Sequence, residues 1–390
     1  MVWLILVVLS LTAWLFLWLG HGGFWKIDPR LPGSKRCTGS GLWPAVDVVV
    51  PARNEADVLP ETLPTLLSQD YPGRLRVFLV DDHSTDGTGK VARSIDAPIL
   101  QVLHAPHRPS QWTGKLWALQ QGVAASQAEA APLLLFTDAD IGHPADSIRR
   151  LVAQSVTGDQ DLVSVMAWLR YEGFWARLLV PAFVYFFAML YPFQRVGDSR
   201  RRIAGAAGGC VLVRRAALQR AGGLERIAGA LIDDCSLGRL IKAHGRVGGG
   251  RIWLGFTRDV ISRRPCQGLA PVWRMVVRTA FVQLHQSWWL LAGTVVGMAL
   301  LFLVPPLAVV FGIGRGVVGR GWFGLWPGLI GGTSWLIMAR TFVPMIRWYH
   351  LPPMLSALLP LAGVVYTLMT IDSARRFLLG RGGSWKGRNY

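Results

Sequence analysis

The last third of the chain is almost free of acidic residues, since no Asp or Glu occurs from residue 260 to residue 371. Three apolar stretches lie in this region, at residues 287–311, 323–346 and 351–371. Each is close to the ~20 residues that a helix needs to cross a bilayer. We therefore predict a C-terminal group of membrane helices over residues 286–372, followed by a basic tail at 373–390.

A fourth apolar stretch opens the chain, where residues 1–20 contain only Ser10 and Thr12 as polar side chains. A cleaved signal peptide is the alternative, but it would carry a basic start and a small-residue cleavage site. We expect a retained anchor at residues 1–25 and a cytosolic domain at 40–285. Residues 178–193 are apolar, short and interrupted by proline, which favours an element lying on the membrane surface.

Basic residues close to the apolar segments predict the orientation. Lys26 and Arg30 follow the anchor, which places the N-terminus outside and the following domain in the cytoplasm. Three C-terminal crossings would then leave the tail outside, although Arg375 and Arg376 favour the inside. One of the three segments could be re-entrant, and the sequence leaves this open. Arg340, within the second segment, is expected to face protein, water or the interface.

The net charge of +18 is unevenly distributed. Residues 47–165 are acidic overall and residues 195–278 strongly basic. We expect the basic section beside the bilayer, where it either attracts anionic headgroups or only reflects orientation. No aromatic-interleaved basic groove is present, so nucleic acid is not expected as a partner. Four scattered cysteines predict neither a zinc site nor a disulfide framework.

Residues 46–165 alternate between strand and helix patterns. Apolar runs at 46–50, 74–80 and 133–136 read as strands, and residues 55–69 and 115–125 have helical spacing. This alternation predicts an α/β fold with helices on both faces of the sheet. Ligands of such sheets bind beyond the carboxyl ends of the strands.

Polar clusters follow all three strands: PARNE at 51–55, DDHSTDGT at 81–88 and TDAD at 137–140. Each could be a turn or a helix cap, but three at one edge are hard to assign to capping. Asp138 and Asp140 offer two hard oxygen ligands, which suit Mg²⁺ or Mn²⁺ shared with substrate phosphates. Asp82 can accept hydrogen bonds from a base or a ribose, and Lys115 can supply a cation for phosphate.

These three clusters, in this order and spacing, resemble the donor-site motifs of family 2 glycosyltransferases with the GT-A fold. The resemblance implies a Rossmann-like mixed sheet and a nucleotide-sugar donor, usually a UDP-sugar. It implies that the loop of Pro51, Ala52, Arg53 and Glu55, together with Asp82, holds the nucleotide. It also implies that Asp140, with Asp138, holds the metal.

The acceptor half resembles the family more narrowly. Residues 208–214 (GGCVLVR) are similar to the small-residue strand that lines the sugar and acceptor site, which would place Gly208, Gly209 and Cys210 there. Residues 231–237 (LIDDCSL) resemble the acidic motif whose second acid is the general base, here Asp234 beside Asp233. An inverting displacement needs such a carboxylate to take the acceptor's proton. The alternative is a helix N-terminal cap.

The family's Q-x-x-R-W motif is incomplete, because residues 275–279 read MVVRT. Arg278 is retained and either meets the diphosphate or is an interfacial arginine. Since processive polysaccharide synthases carry the complete motif, its loss argues against chain extension.

The wider pattern, including QWTGKLW at 111–117 and GGSWKGRNY at 382–390, resembles the bacterial hopene-associated glycosyltransferases, relatives of ceramide glucosyltransferases. The resemblance implies a multi-pass protein of the bacterial inner membrane that transfers sugar to a lipid hydroxyl, with a link to hopanoids. Two alternatives stay open: transfer to polyprenyl phosphate, which needs no general base, and a non-catalytic nucleotide-binding scaffold.

Overall fold

The computed structural model describes residues 2–33, 43–247, 249–317, 325–380, 382, 384–385 and 388–389. Contacts divide the chain into two units. The sheet unit comprises Asp28–Arg170, Phe193–Pro265 and Ser384–Tyr390. The helical unit comprises Met1–Ile27, Tyr171–Pro192 and Cys266–Gly383.

The strands follow one another along the chain as β1 Val46–Ala52, β2 Leu75–Asp81, β3 Leu100–His104, β4 Leu133–Thr137, β5 Ile141–Gly142, β6 Leu162–Glu172, β7 Cys210–Arg214, β8 Ile252–Gln267, β9 Ser384–Trp385 and β10 Arg388–Asn389. The helices are α1 Val2–Leu19, α2 Leu59–Leu67, α3 Thr88–Arg93, α4 Gly114–Ala125, α5 Ser147–Thr157, α6 Gly173–Leu190, α7 Phe193–Gly197, α8 Arg215–Arg220, α9 Asp233–His244, α10 Leu269–Val277, α11 Ala280–Gln283, α12 Trp288–Met298, α13 Val304–Val317, α14 Trp326–Trp348 and α15 Leu359–Leu378.

Eight strands of the described residues form a mixed sheet in the order β3-β2-β1-β4-β7-β6-β8-β5. The pairs β2–β3, β1–β2 and β1–β4 are parallel, whereas β4–β7, β6–β7 and β5–β8 are antiparallel. Every residue of β1 and β4 is buried, as is typical of strands covered on both faces. The predicted α/β sheet of GT-A type is thus confirmed, and the strands β1, β2 and β4 form at the positions of the three predicted apolar runs.

The register of the parallel strands brings their carboxyl ends to one edge. Ala52 of β1 pairs with Asp81 of β2, and Val49 pairs with Phe136 of β4. The predicted helix at 55–69 begins only at Leu59, because a turn occupies the residues after β1. The segments that follow β1, β2 and β4 therefore all leave the sheet at the edge where the polar clusters were expected.

A buried carboxylate ties the start of β1 to its neighbours. Asp47, 1% exposed, accepts hydrogen bonds from Arg76 Nε on β2 and from Arg215 Nη2 at the start of α8, both at 2.8 Å. Its Oδ2 also accepts the backbone N–H of Ala131 at 3.0 Å. Since Arg215 is itself buried, each charge needs the other to offset the cost of leaving water.

Many arginines of the basic section, residues 195–278, form ion pairs inside the sheet unit. Six arginines of residues 195–278 form ion pairs with carboxylates of residues 47–165, whereas the position of the section beside a bilayer stays a prediction. The pairs are Arg214, Arg246 and Arg251 with Asp159, Arg215 with Asp47, Arg263 with Glu61, and Arg264 with Glu55. The acidic section and residues 195–265 of the basic section belong to the same unit, and part of their opposite charge is paired there.

Five helices of the described residues are long and apolar enough to cross a membrane: Val2–Leu19, Gly173–Leu190, Trp288–Gly312, Trp326–Trp348 and Pro353–Leu378. The four predicted segments are among them. The fifth, α6, corrects the view that 178–193 is short, because the helix starts at Gly173, continues through Pro181 and has 18 residues.

The unit boundaries also differ from the predicted domains. Residues 171–192 and 266–285, which we assigned to the cytosolic domain, belong to the helical unit. Within the described residues Cys210, Cys235 and Cys266 are free thiols. Cys37 and four of the nine residues of the predicted motif at 382–390, namely 383, 386, 387 and 390, lie outside the described residues.

We predict that Asp47→Ala lowers the free energy of unfolding by about 3–5 kcal/mol, because it leaves Arg215 buried without its partner. Chemical denaturation of the detergent-solubilised chain, followed by tryptophan fluorescence, measures this. Asp70→Ala is the matched control, since Asp70 pairs with Arg149 at the surface and should contribute about 1 kcal/mol or less. Equal stabilities for the two variants would contradict the prediction.

Candidate active site

The loops after β1 and β2 are bonded to each other. Asn54 N donates to Ser84 Oγ at 3.0 Å, and Thr85 N donates to Asn54 Oδ1 at 2.9 Å. Asn54 and His83 both have left-handed backbones, with φ of 52° and 54°. Asn is among the residues that adopt this conformation most readily. The first two predicted motifs therefore form one connected surface at the edge of the sheet.

Contacts between Arg53 and Asp82 support this surface. Arg53 Nη1 donates to the backbone oxygens of Asp82, at 2.5 Å, and His83, at 3.2 Å. It also lies 3.9 Å from Asp82 Oδ2, and the Asp82 side chain is fully buried. Pro51 and Ala52, which precede Arg53, are the last residues of β1. The described contacts of Arg53 and Asp82 thus hold the end of β2 in place.

Glu55 has a partner that sequence reasoning missed. Its carboxylate accepts a hydrogen bond from Arg264 Nη2 at 2.8 Å, and the same nitrogen donates to Asp57 at 2.9 Å. The backbone N–H of Glu55 donates to Thr88 Oγ1 at 2.8 Å. Arg264 comes from the distant β8, in a basic section that we had interpreted only in terms of the membrane.

The turn after β4 carries the predicted metal-binding pair. Asp140 Oδ2 accepts a hydrogen bond from Ser262 Oγ at 2.7 Å, and Asp140 O accepts the backbone N–H of Arg263 at 2.7 Å. Thr62 of α2 donates its hydroxyl to Ala139 O at 2.7 Å. The turn is therefore held from two sides, by α2 and by β8.

Lys115, in the first turn of α4, connects the two halves of the site. Its Nζ lies 2.8 Å from Asp138 Oδ1 and 3.0 Å from Asp233 Oδ2. Burial lowers the pKa of Lys115, but Asp138 and Asp233 outweigh it and raise the pKa above the ordinary value. The ammonium therefore stays charged and contacts both Asp138, from the predicted donor cluster, and Asp233, from the predicted acceptor motif.

Asp234 is fixed by backbone donors. Its Oδ2 accepts the N–H of Gly208 at 2.8 Å, and its Oδ1 accepts the N–H of Cys235 at 2.7 Å. A Cβ at Gly208 would lie 3.1 Å from Asp234 Oδ2 and 3.4 Å from Lys115 Nζ, so a larger residue would crowd both groups. The small residue at 208 thus allows the close approach of the carboxylate.

The capping alternative for Asp233 and Asp234 accounts for part of this geometry. Both residues lie in the first turn of α9, where a negative charge is favourable, but the N-cap is Ile232 and no side chain caps the helix. The bond from Asp234 to Gly208, at the end of a different segment, is not a capping contact.

Burial, and then the neighbouring Asp233 carboxylate, raise the pKa of Asp234 to about 6, although Lys115 and the two backbone N–H groups lower it. A carboxylate with a pKa close to neutrality is well suited to general base catalysis. Burial also raises the pKa of Asp138, with Lys115 lowering it and Asp140 raising it.

A buried hydrogen-bond chain supports the turn and was not found from the sequence. Thr137 Oγ1 donates to Gly209 O at 2.8 Å and lies 2.9 Å from His143 Nε2, whose Nδ1 lies 3.2 Å from Ser147 Oγ. Burial lowers the pKa of His143 to about 3, so the imidazole is neutral. The chain joins the end of β4 to the glycines that precede β7, and a buried His beside a strand gave no sequence signal.

The remaining predicted residues are placed as follows. Cys210 is the first residue of β7 and fully buried, and burial raises the pKa of its thiol above the ordinary value. Gly209 precedes it and its carbonyl accepts from Thr137. Arg278 follows α10 in the helical unit with an exposed side chain, so its role at a diphosphate stays a prediction.

A cavity lies directly against Lys115, Asp138, Asp233 and Asp234, with Pro51 and Gly208 in its wall. Its other walls are apolar side chains of α4, β4, β7 and α9, among them Leu116, Phe136, Val211 and Leu237. The arrangement places several carboxylates and one ammonium around a concave, partly apolar surface, which can bind a charged substrate and move a proton.

Comparisons with known proteins agree with this geometry. Residues 47–222 match the family model described as glycosyl transferase family 2. The chain is 32% identical over 136 residues to 4,4'-diaponeurosporenoate glycosyltransferase of Staphylococcus aureus (strain USA300), covering 33% of this chain and 34% of that protein. It is 32% identical over 137 residues to an N-acetylglucosaminyltransferase of Rhizobium sp. (strain N33), covering 34% of this chain and 29% of that protein. The matches thus span about a third of the length of these curated relatives.

Among solved structures, the mannosyltransferase PcManGT from Pyrobaculum calidifontis, in complex with GDP-Man and Mn²⁺, has a similar fold, with a TM-score of 0.54 and 18% identity. The likeness covers 96% of this chain and 99% of that one. The GT-A fold predicted from the motifs is confirmed, and residues 47–222 match the family 2 glycosyl transferase model, as the three motifs predicted.

Proposed function

We propose that the chain transfers a sugar, with inversion, from a nucleotide diphosphate sugar to a lipid hydroxyl at the bacterial inner membrane. The donor is a UDP-sugar, the sheet unit lies in the cytoplasm, and the acceptor is linked to hopanoid lipids. The motif resemblance supports the donor and hopanoid assignments, and the five candidate membrane helices support a membrane-embedded acceptor.

One observation carries the proposal: Lys115 joins Asp138 of the donor cluster to Asp233 of the acceptor cluster, beside Asp234. A transfer reaction needs the donor phosphates and the acceptor hydroxyl at one place, because proximity and orientation lower the barrier. A scaffold that only bound nucleotide would have no use for a buried acid of raised pKa on the acceptor side.

In the proposed reaction, Asp234 takes the proton from the acceptor hydroxyl while that oxygen attacks the anomeric carbon. The new bond joins the acceptor oxygen to this carbon, and the bond from the carbon to the β-phosphate oxygen breaks. The nucleoside diphosphate leaves with the electron pair. Lys115 stabilises the charge that develops on the phosphates, and the Gly208 and Cys235 N–H groups orient Asp234.

Asp138 and Asp140 fit a divalent cation, Mg²⁺ or Mn²⁺. Asp140 raises the pKa of Asp138, so the two like charges are close enough to repel, and a cation would relieve this. No group of three or more His, Cys, Asp or Glu side chains suited to a metal occurs among the described residues. A cation held by two carboxylates completes its coordination with substrate phosphates and water. It would supply Lewis-acid stabilisation of the leaving diphosphate.

Membranes containing the chain, incubated with a panel of labelled UDP- and GDP-sugars and Mg²⁺ or Mn²⁺, test the proposal. We expect label in the lipid extract with a UDP-sugar, a mass increase of one hexose on a lipid alcohol, and loss of transfer in EDTA. Absence of transfer with every donor, together with absence of metal-dependent UDP binding, would reject it.

Asp234→Asn is expected to lower kcat by about 10²–10⁴-fold without abolishing donor binding, because it removes the general base and keeps the shape of the side chain. Asp140→Asn should instead weaken metal-dependent UDP binding, measured by calorimetry. Asp96→Asn is the control, since Asp96 is exposed after α3 and should change neither quantity. Undiminished transfer by Asp234→Asn to polyprenyl phosphate would favour the phosphate acceptor instead.

The pH profile of kcat/KM should follow the ionisation of Asp234. We expect transfer at pH values above about 6 and a fall in kcat/KM at lower pH, because the protonated Asp234 cannot accept a proton. Lys115 lowers the pKa of Asp234, so Lys115→Met should move this limb to higher pH, whereas Lys115→Arg should leave it near the wild-type position. A limb that does not move in Lys115→Met would refute the assignment of Asp234.

A further inference from the structure

His143 is a buried imidazole that the proposed reaction does not use. It follows the turn that carries Asp138 and Asp140 and is 4% exposed. Its Nε2 lies 2.9 Å from Thr137 Oγ1, and its Nδ1 lies 3.2 Å from Ser147 Oγ. Burial lowers the pKa of His143 to about 3, so the ring is neutral near pH 7. A neutral imidazole donates from one nitrogen and accepts at the other, so the neighbours determine which nitrogen carries the proton.

Thr137 fixes the direction of this hydrogen-bond chain. Its Oγ1 lies 2.8 Å from Gly209 O, and a carbonyl oxygen can only accept. Two oxygens at this distance need a proton between them, so the Thr137 hydroxyl donates to Gly209. The same Oγ1 then accepts from His143 Nε2–H, and His143 Nδ1 accepts from the Ser147 hydroxyl.

The opposite tautomer of the imidazole fits the distances less well. It would direct the Thr137 proton to the ring and leave two acceptor oxygens, Thr137 Oγ1 and Gly209 O, in contact at 2.8 Å. The Nε2–H tautomer leaves only Ser147 Oγ and Gln69 Oε1 without a shared proton, at the longer distance of 3.2 Å. Gln69 Oε1 still accepts the N–H of Ile148, also at 3.2 Å. Because electrostatic repulsion rises as the distance falls, the shorter contact is the one that needs the proton.

The backbone on both sides of Gly208 is held by neighbouring segments. Gly209 O, which accepts from Thr137, also accepts the N–H of Asp138 at 3.3 Å. On the other side, Ala207 N donates to a serine hydroxyl of β6, Ser164 Oγ, at 2.8 Å. The same hydroxyl donates to Ala207 O at 3.1 Å. Gly208 therefore lies between two residues whose polar backbone groups are bonded to the ends of β4 and β6.

Gly208 uses its own N–H to hold Asp234, to which it donates at 2.8 Å. Burial and then Asp233 raise the pKa of Asp234, whereas Lys115 and the backbone N–H groups lower it. The backbone of glycine is less restricted than that of any other residue. The direction of the Gly208 N–H therefore depends on how its two neighbours are held.

We propose that His143 is a positioning residue for Asp234: it holds Thr137 against Gly209 and so keeps the Gly208 N–H on the carboxylate. This inference rests on the proposed function, in which Asp234 is the general base. A structural role alone would need only the bulk of the ring, whereas this role needs a donor at the position of Nε2.

His143→Gln and His143→Asn separate these two roles. The amide nitrogen of Gln can take the place of Nε2 and donate to Thr137, whereas that of Asn reaches only the place of Nδ1. We expect His143→Asn to lower kcat by about 10–100-fold, since a small misplacement of a catalytic group is costly. The acid limb of kcat/KM should move up by about one pH unit, because Asp234 loses a hydrogen bond that favours its ionised form. His143→Gln should keep both quantities near the wild-type values.

A second pair of variants tests the next link of the chain. Thr137→Val keeps the shape of the side chain but removes the hydroxyl, so it should move the acid limb as His143→Asn does, whereas Thr137→Ser should not. His244→Asn is the control, because His244 is exposed at the end of α9. Thermal unfolding is recorded for every variant, since a lower stability with an unmoved limb would indicate a structural role alone.

The tautomer can be measured without turnover, by nuclear magnetic resonance of the detergent-solubilised chain with isotope-labelled histidine rings. The signals of His143 are those that disappear in His143→Gln. We expect a proton on Nε2 and none on Nδ1, with no titration between about pH 5 and pH 8. A proton on Nδ1 would reverse the chain and overturn the proposal.

The kinetic outcomes distinguish this inference from the proposed function. An acid limb that stays in place in both His143→Asn and Thr137→Val, while Asp234→Asn has lost transfer, would overturn the inference and leave the proposed function intact. Equal shifts in His143→Gln and His143→Asn would show that the shape of the ring matters rather than its donor, and would also overturn the inference. Full transfer to a lipid alcohol by Asp234→Asn would reject the general base, and both proposals with it.

Discussion

The candidate site depends on the attraction between the Lys115 ammonium and the carboxylates around it. Three carboxylates, Asp138, Asp233 and Asp234, approach one another at the edge of the sheet, and each would repel the others without a cation. They come from segments about 95 residues apart in the chain, so no local structure could hold them together. Lys115 is placed by the first turn of α4, which is packed against β1 and β2 in the core of the sheet unit.

Ion pairs also connect distant segments elsewhere in the sheet unit. Asp47 with Arg215 fastens the start of β1 to α8, and Asp159 gathers Arg214, Arg246 and Arg251 from β7 and the region before β8. The buried Asp47–Arg215 pair adds little net stability over apolar residues but is costly to break, whereas the Asp159 side chain is about half exposed. Such pairs therefore specify which segments meet. The basic section, which the sequence suggested to lie beside a membrane, has a large part of its charge paired within this unit.

The sequence predicted those features whose signal is local. The three strands, the polar clusters after them and the donor motifs are contiguous in the chain, and a parallel sheet necessarily brings their carboxyl ends to one edge. Ser262, Arg264 and the chain from Thr137 to His143 were missed, because each acts through a partner distant in sequence. The start of α6 at Gly173 was also missed, since Pro181 reads as an interruption although the helix continues through it.

By itself, the sequence determined the class of fold and which segments are apolar enough to meet lipid, because periodicity, turn chemistry and hydropathy are properties of short stretches. Only the tertiary structure decided that Lys115 joins Asp138 to Asp233, that Asp234 is held by Gly208, and that β6 and β7 pair across the insertion of α6. Those contacts depend on the packing of distant segments. A helix long enough to cross a membrane does so only if the elements at its two ends lie on opposite sides, which hydropathy does not report.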